Sequence, residues 1–489
     1  MPSSNPLGLC VHAHFYQPTR EDPLTGKIPQ EPGAAPYHDW NEKIFDTCYR
    51  PNAELKVFER ISFNIGPTLF DWMMDNHPET GRQIVAQARA NLERYGVTNA
   101  LAQPYHHSIL PLGGYQDKVT QVRWGIADFE HRYGFKPQGM WLPEAGVDME
   151  TLAVLAECGI QFTILAPWQA AVPNVDVTQP YKVALPGGKE ITVIFYQAEL
   201  SSNVSFNPQA TINADDFARD MLHRNLFPRA GETGLLTIAS DGELYGHHQP
   251  FRDRFLDRLV DGALSGTPLN ATFPALWLKD HPAAQSITIR DNTSWSCHHG
   301  VARWSTGCDC TEHSDWKQPF FAAMQWLGGE IDRIYLDMTA GLIRDAWELR
   351  HDYIQVVLGQ VSAEELIQAH AVRTLDAEQV RGLDLILRAQ FERQRMFTSC
   401  GWFFEDFDRI EPRNNVAYAA QTAWWALLAS GEDLTEGMLD RLHVVASWRS
   451  GLRADIIFCR QFRKASQFYK DWTLPKRTLP EWSCEPSSD

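Results

Sequence analysis

Two short runs of the sequence each place a carboxylate at the end of an apolar segment. The run that starts at Gly139 ends in Glu144, three residues after Trp141, and the run that starts at Thr237 ends in Asp241. A carboxyl group beside an aromatic ring suits glycosidic-bond chemistry, because the ring packs on a sugar face while the carboxyl group meets the anomeric carbon. Two such segment ends predict one shared site with Glu144 and Asp241 as its catalytic residues.

Histidines occupy similar positions in other apolar segments. His12 and His14 lie two residues apart in segment 7–15, so a strand there directs both rings to one face. Imidazoles at strand ends can bind sugar hydroxyl groups or a metal ion, and the histidines with Asp241 supply ligand types for zinc. Because the sequence has no HExxH or paired CxxC spacing, sugar contact is favoured, and no metal or cofactor is expected. The predicted substrate-binding residues are His12, His14, His107, Trp141, Trp295, His298, His299 and Glu243.

Glu243 has two interpretations. As a neighbouring negative charge it would raise the pKa of Asp241, whereas a hydrogen bond or ion pair within its loop would make it structural. The structural interpretation is favoured, because most carboxylates are solvated or cap a local turn.

The elements that position these residues alternate between strand and helix. Apolar segments predict about seven strands, and stretches with a 3.6-residue period separate them. This alternation favours parallel βαβ units closed into a barrel or near-barrel, with the site at the carboxyl ends of the strands. The predicted strands are 7–15, 61–65, 100–111 with its loop, the run before Glu144, 162–165, 191–196 and the run before Asp241.

The pattern changes beyond residue 315, where helical periodicity takes over. We therefore predict a catalytic barrel with long loops over 1–314 and an α-helical domain over 315–489. Predicted helices there include 320–358, one after a capping box formed by Ser362 and Glu365, 378–399 and 414–429. The apolar cluster of Trp402, Phe403 and Phe404 predicts that the helical domain packs on the barrel.

Composition and charge narrow the class of protein. The 489 residues are 44% hydrophobic, which excludes disorder, and 44 basic against 61 acidic residues give a net charge of −17. Such a charge repels nucleic acids and anionic membranes, so a neutral substrate is expected. The start of the sequence lacks the features of a signal peptide, and nine cysteines in a long acidic chain favour reduced thiols; together these predict a cytoplasmic protein.

Three cysteines lie close together in a polar, aromatic stretch. Cys297, Cys308 and Cys310 could bind zinc or an iron–sulfur cluster, or could be buried thiols that brace an irregular loop. The last interpretation is favoured, and their role stays open at this stage.

The motifs in their order resemble those of glycoside hydrolase family 57. The resemblance rests on His12-Ala-His14, Trp141-Leu-Pro-Glu144, Ser240-Asp-Gly-Glu243 and Trp295 followed by His298-His299-Gly300, and it extends to a poorly characterised subgroup through residues 396–407. It implies an incomplete (β/α)7 barrel followed by a C-terminal α-helical domain, with Glu144 as nucleophile and Asp241 as general acid/base. One departure concerns the run around Gln103, where several relatives carry a glutamate and this sequence has no carboxylate.

The resulting expectation is a retaining glycoside hydrolase or transglycosylase that acts on α-linked glucans or α-glucosides. The partner is an oligo- or polysaccharide, and the oligomeric state is left open. A metal-dependent, deacetylase-like carbohydrate hydrolase is one alternative, which metal analysis distinguishes. A non-catalytic glucan-binding protein is another, which turnover of an activated α-glucoside distinguishes.

Overall fold

Strand β1 lies at the centre of a four-stranded parallel sheet. The computed structural model describes residues 7–220 and 233–469. In it β1 (Leu7–Phe15) pairs with β2 (Ser62–Ile65), β6 (Gly234–Asp241) and β7 (Leu269–Ala271). A second sheet has the order β3 (Phe162–Leu165), β5 (Glu190–Phe195), β4 (Pro180–Ala184) and β8 (Gln285–Ser286). Nearly all of β1 is buried, as expected for an apolar strand with neighbours on both edges.

Two of the predicted strands are reduced to single parallel bridges. Ala100 bridges Phe63 of β2, Ala102 bridges Met140, and Gly139 bridges Phe162 of β3. The prediction of full strands at 100–111 and before Glu144 is therefore wrong. Pro104 and Pro143 follow closely on these bridges, and proline has no backbone N–H with which to extend a ladder.

Helices surround the strands in the first part of the chain and make up most of the rest. Those before residue 300 are α1 (Trp40–Ile44), α2 (Arg50–Glu54), α3 (Pro67–Asn76), α4 (Pro78–Tyr95), α5 (Tyr115–Tyr133), α6 (Met149–Glu157), α7 (Ala198–Phe206), α8 (Ala214–Asp220), α9 (Arg252–Val260) and α10 (Pro274–Asp280). Those after it are α11 (Lys317–Thr339), α12 (Ala346–Asp352), α13 (Ile354–Val357), α14 (Ala363–His370), α15 (Ala377–Arg395), α16 (Cys400–Phe403), α17 (Ile410–Ser430), α18 (Thr435–Leu442) and α19 (Ala454–Phe468). Within the described residues, no helix has the length and apolar character needed to cross a membrane.

The C-terminal helices confirm most of the predicted pattern. Ser362 and Glu365 form the expected capping box at the start of α14. The single helix predicted over 320–358 is wrong, because α11 ends at Thr339 and two shorter helices follow. Gly341 has a φ of 68° just after α11, and the Asp345 side chain caps α12 by accepting hydrogen bonds from the next turn, so the local sequence both ends one helix and starts another.

The described chain divides into two compact units. The first takes the described parts of 1–17, 30–105 and 128–298, and the second takes 18–29, 106–127 and the described part of 299–489. All described residues of the predicted helical domain belong to the second unit, which also includes segments that the boundary at 314 had assigned to the barrel. Residues 297–310 are continuous in sequence across this division. The predicted packing of 315–489 on the barrel stays a prediction.

An aromatic cluster fills the core of the second unit. Trp402 is almost completely buried, and its ring lies 4.8 Å from Phe320, 5.9 Å from Phe321 and 6.3 Å from Phe397 between centroids. The sequence predicts that the apolar surface of this cluster is buried against the barrel. For Trp402, packing within its own unit already removes that surface from water.

Two buried arginines and two aspartates connect α5 with α11, α12 and α15. Arg393 binds Asp117 at 2.7 Å and Asp332 at 2.6 Å, while the fully buried Arg350 lies 3.1 Å from Asp117. Burial works against ionisation of Asp117, but Arg393 and Arg350 outweigh it and lower its pKa to about 2. Asp117 is therefore ionised, and its negative charge balances the positive charges of the buried Arg350 and Arg393.

We expect Asp117→Asn to destabilise the protein at pH 7 by about 3 kcal/mol, because it leaves buried guanidinium groups short of a counter-charge. The pKa of Asp117 is lower in the folded state than its ordinary value of 3.8. The contribution is therefore fully present above about pH 4 and disappears as the pH falls towards 2. Thermal unfolding midpoints between pH 3 and 7 measure this, with the exposed Asp337→Asn in α11 as control. Equal midpoints for the two variants at pH 7 would contradict the assignment.

Candidate functional site

The two histidines of β1 are held by the strand beside them. The parallel register places His12 opposite Ser62 and His14 opposite Asn64. His12 Nδ1 lies 2.9 Å from Ser62 Oγ, and Asn64 Nδ2 donates to His14 Nδ1 at 2.9 Å and to Gln103 Oε1 at 2.7 Å. Burial lowers the pKa of His12 to about 3 and that of His14 to about 4. Both rings are consequently neutral at pH 7.

Trp141 supports these imidazoles from one side. Its ring is stacked on His12 at 4.7 Å and on His14 at 5.4 Å between centroids. The indole is completely buried, so it has no accessible face. This corrects the expectation that Trp141 offers its ring to a sugar, because the fold already covers that ring with the two histidines.

Glu144 lies in a strained turn and not at the end of a strand. It belongs to the 3₁₀-helix Pro143–Ala145, and both Glu144 and Ala145 have positive φ values, 55° and 47°. Left-handed backbone costs a non-glycine residue about 1–2 kcal/mol. Two bonds hold the turn: Trp295 N–H donates to Glu144 O at 2.9 Å, and Gln169 Nε2 donates to Ala145 O at 2.7 Å. Strain retained in this way is typical of functional sites.

The carboxylate of Glu144 is oriented by the segment that follows β8. Its Oε2 accepts a hydrogen bond from Trp295 Nε1 at 3.0 Å and another from Ser296 Oγ at 2.7 Å. Two donors on one oxygen fix the direction of the carboxylate, since each bond to a charged acceptor is stronger than a neutral one.

Asp241 ends β6 directly beside His14 in the parallel register. Gly242 follows it, and a Cβ there would lie 2.4 Å from the Phe15 ring, so only glycine lets the chain pass at this point. Desolvation raises the pKa of Asp241 to about 7, and the negative charge of Glu144 adds to the rise. Because Asp241 is also exposed to solvent, its desolvation is partial. A general acid requires only that the pKa of this carboxyl group is raised.

Glu243 lies beneath this surface. Its Oε1 accepts hydrogen bonds from Tyr16 N–H at 3.1 Å and from Tyr49 Oη at 2.9 Å. Burial raises its pKa to about 8, and the charge of Asp241 contributes. The carboxylate that raises the pKa of Asp241 is Glu144, so the structural interpretation of Glu243 fits these contacts. Its contact with substrate stays a prediction.

The family of this chain follows from its sequence as well as from this geometry. The family model described as glycosyl hydrolase family 57 matches residues 10–283, which is more than half of the chain. The chain belongs to glycosyl hydrolase family 57. A second model, described as a domain of unknown function (DUF3536), matches residues 313–460. The resemblance read from the motifs is thereby confirmed.

Individual relatives of family 57 match the chain at low identity. An α-amylase from Pyrococcus furiosus is 23% identical over 211 residues, 42% of this chain and 30% of that protein. A 4-α-glucanotransferase from Thermococcus litoralis is 24% identical over 174 residues, 34% of this chain and 25% of that protein. The chain thus matches less than a third of the length of these two relatives.

Solved structures show the same fold over nearly the whole chain. An exo-type maltose-forming amylase from Pyrococcus sp. ST04 superposes with a TM-score of 0.74 at 14% identity, covering 96% of this chain and 93% of that one. A family 57 branching enzyme from Thermococcus kodakaraensis gives 0.58 at 14% identity, covering 97% and 98%. These likenesses establish a mixed α/β fold with a helical C-terminal region.

Several residues that surround Glu144 and the two histidines of β1 were not predicted from the sequence. Ser62, Asn64, Gln103 and Ser296 all bond to a predicted site residue or to its partner. Ser62 and Asn64 carried a usable signal, because polar residues two apart in an apolar strand share the spacing of the histidines that they bind. Ser296 carried none, since its bond to Glu144 joins parts of the chain 152 residues apart.

Some predicted residues are not brought to this site by the described contacts. His107, in the second unit, has its Nδ1 2.7 Å from Ser399 Oγ. His299 Nδ1 lies 3.4 Å from Cys310 Sγ, and His298 is exposed in the first unit. Their contact with substrate stays a prediction, as does the register of the two adjacent histidines.

A cavity of about 290 Å³ lies within the second unit. Four aromatic rings line it, those of Trp304, Phe321, Phe397 and Trp402. None of the residues predicted to be catalytic lines it, so the location of the site rests on Glu144 and Asp241 and not on this cavity. Potential metal ligands also gather elsewhere: among the described residues, the side chains grouped closely enough to hold an ion are Cys297, His299, Cys308 and Cys310.

We expect Glu144→Gln to lower the pKa of Asp241 from about 7. A nearby negative charge disfavours ionisation, so its removal lowers the pKa, while the remaining burial keeps it above the ordinary value of 3.8. NMR titration of carboxyl-labelled aspartate measures the shift, with the exposed Glu79→Gln in α4 as control. An unchanged Asp241 titration in Glu144→Gln would rule out the proposed coupling.

Proposed function

We propose that this chain is a retaining glycoside hydrolase or transglycosylase that acts on α-linked glucans or α-glucosides by double displacement. The observation that carries the proposal is the unequal environment of two neighbouring carboxyl groups. Glu144 is oriented by two hydrogen-bond donors on one oxygen, whereas the pKa of Asp241 is raised to about 7. Carboxyl groups whose environments differ in this way divide the roles of nucleophile and acid.

In the first displacement the Glu144 carboxylate attacks the anomeric carbon while Asp241 donates its proton to the leaving oxygen. The bond to the leaving group breaks and a covalent glycosyl-enzyme forms. Asp241, now ionised, then takes a proton from water or from an acceptor hydroxyl group, which attacks the anomeric carbon and releases Glu144. A pKa near neutrality suits Asp241 to both halves of this cycle.

The substrate class is supported by the names of similar proteins. An α-amylase and a 4-α-glucanotransferase match the sequence, and a maltose-forming amylase and a branching enzyme share the fold. The net charge of −17 also favours a neutral substrate over nucleic acid or anionic lipid. The cytoplasmic location stays a prediction.

The fold that we propose for the first unit is the incomplete (β/α)7 barrel. Seven parallel segments follow one another by backbone pairing, in the order β6, β1, β2, 100–102, 139–140, β3 and β5. Gln197 N–H, just after β5, donates to Thr237 O of β6 at 2.7 Å. This bond links the last segment back towards the first, which supports closure around a common axis.

The surface that meets the sugar chain is proposed to run along an aromatic wall beside Glu144. Trp295 lies 6.4 Å from Tyr196, which lies 6.0 Å from Trp168 between ring centroids. Trp168 is 43% exposed, and its Nε1 is occupied by Ser294 O at 2.9 Å. The free face of a ring fixed in this way suits stacking on a sugar.

Replacing the nucleophile provides the main test. Glu144→Ala should lower turnover of maltooligosaccharides on the order of 10³-fold or more, while leaving their binding largely intact. Added azide should restore turnover of an activated α-glucoside by attacking from the vacated side, giving a glycosyl azide of inverted configuration. Glu79→Ala in α4 serves as the matched surface control. Activity within a few-fold of the unsubstituted enzyme in Glu144→Ala would overturn the proposed function.

The stereochemical outcome follows from the spacing of the two carboxyl groups. A retaining enzyme should place Glu144 and Asp241 roughly 5–5.5 Å apart in a substrate complex, because no water stands between nucleophile and sugar. Crystallography of a complex and NMR of the first-formed product anomer test this together. A spacing beyond about 6.5 Å with an inverted product would indicate direct displacement by water instead.

A further inference from the structure

Four potential metal ligands converge in the loop 297–310. One ligand atom each from Cys297, His299, Cys308 and Cys310 lies within 4.8 Å of all the others. The three cysteines are outside disulfides, unlike Cys459, which is disulfide-bonded. Cys308 is half-buried and Cys310 is exposed, so the interpretation of all three as buried thiols does not describe this loop.

The spacing of these atoms approaches that of a tetrahedral zinc site. Zinc bonds of about 2.3 Å to sulfur and 2.0–2.1 Å to nitrogen place tetrahedral ligand atoms roughly 3.5–3.8 Å from one another. The separation of Cys310 Sγ and His299 Nδ1 is 3.4 Å. A contraction of the widest pair, from at most 4.8 Å to about 3.8 Å, would bring the four atoms to bonding distance of a central ion.

We propose that Cys297, His299, Cys308 and Cys310 bind one structural zinc ion. Three thiolates and one imidazole complete four-coordination, so the site is closed to water and substrate, as structural zinc sites are. The common iron–sulfur clusters are held by four cysteines or, in the Rieske type, by two cysteines and two histidines, whereas three cysteines and one histidine are a standard ligand set of structural zinc. On binding, each thiol releases its proton to solvent and the histidine stays neutral, which leaves a site of net charge −1.

The loop 297–310 has little regular secondary structure to stabilise it. Between β8 and α11, the described regular structure is limited to the short 3₁₀-helices Ala302–Trp304 and Ser314–Trp316. Gly307 has a φ of 81°, and a Cβ there would meet Ser314 at 2.8 Å, so the chain folds back tightly to bring Cys308 and Cys310 towards His299. A metal ion stabilises an irregular loop of this kind by coupling its binding free energy to folding.

The ion would also act on the catalytic segment. Cys297 directly follows Ser296 and lies two residues after Trp295, the two residues that donate to Glu144 Oε2. Its carbonyl accepts a hydrogen bond from Ser294 Oγ at 3.3 Å. Zinc held by Cys297 therefore fixes the end of the segment that orients the nucleophile. This positioning role rests on the proposed function, whereas metal binding itself does not.

Metal content tests the binding. The full-length protein, purified under reducing conditions, should contain about one zinc ion per chain. Cys308→Ser and His299→Ala should bind zinc at least ~100-fold more weakly. His298→Ala, the adjacent exposed histidine, and Cys158→Ser, at the end of α6, should keep it. Absence of zinc after reconstitution, or full retention of zinc in both ligand variants, would overturn the proposal. Iron with acid-labile sulfide in the purified protein would also overturn it and would indicate an iron–sulfur cluster instead.

Measurements on the unsubstituted chain cover the case in which a variant does not fold. Replacement of zinc by Co²⁺ should give the ligand-field bands of tetrahedral cobalt with thiolate charge-transfer absorption. Zinc should also protect Cys308 and Cys310 from alkylation, as read by peptide mass spectrometry, while alkylation of Cys158 is unaffected. Octahedral cobalt spectra, or alkylation of Cys308 and Cys310 at the same rate with and without zinc, would contradict the site.

The positioning role has its own readout. Cys310→Ser should lower kcat roughly 10-fold or more, because misplacement of a catalytic group by less than an ångström is costly, with a smaller change in KM. His12→Ala and His14→Ala should retain zinc, which separates this site from a catalytic metal at the barrel histidines. Loss of zinc with unchanged kcat in this variant would support the proposed metal site and would remove its proposed link to Glu144. Loss of zinc in the His12 and His14 variants would instead indicate a catalytic metal.

Discussion

The parallel pairing of β1 with β2 and β6 is the constraint on which the site depends. It places His12 beside Ser62, and His14 between Asn64 and Asp241. Because side chains alternate between the two faces of a strand, a slip of one residue would turn both histidines away from Asp241. Burial of β1 on both faces makes such a slip costly, so the apolar residues of the strand set the position of its polar ones.

The second constraint is the strained turn at Glu144. Two consecutive left-handed residues persist because Trp295 and Gln169 bond to their carbonyl oxygens. The same Trp295, together with Ser296, orients the carboxylate. One segment therefore both maintains the backbone strain and directs the reacting group, and the loop that holds the proposed zinc ion begins immediately after it.

The electrostatic character of the site comes from burial more than from charge pairing. Desolvation keeps His12 and His14 neutral, so they act as hydrogen-bonding groups and do not neutralise the nearby acids. No imidazolium charge therefore offsets the negative charge of Glu144, which adds to the desolvation that raises the pKa of Asp241. Glu243 extends this effect below the surface, where Tyr49 and the Tyr16 backbone bind it. Desolvation is thus the largest cause of the pKa shifts of both histidines and of Asp241, although Asp241 also keeps contact with solvent.

The sequence by itself determined the strands with strong apolar character and the capped helices, and it predicted Glu144 and Asp241 as the catalytic pair, because these signals are local. β1 and β3 lie where periodicity placed them, and the Ser362 capping box formed as expected. The tertiary structure decided what depends on distant contacts. It showed that Trp141 is a buried support, that α11 stops at Thr339, and that Ser296 reaches Glu144. It also gathered His299 with three cysteines. Side chains far apart in sequence meet only when the chain is packed, so no local pattern could have assigned those partners.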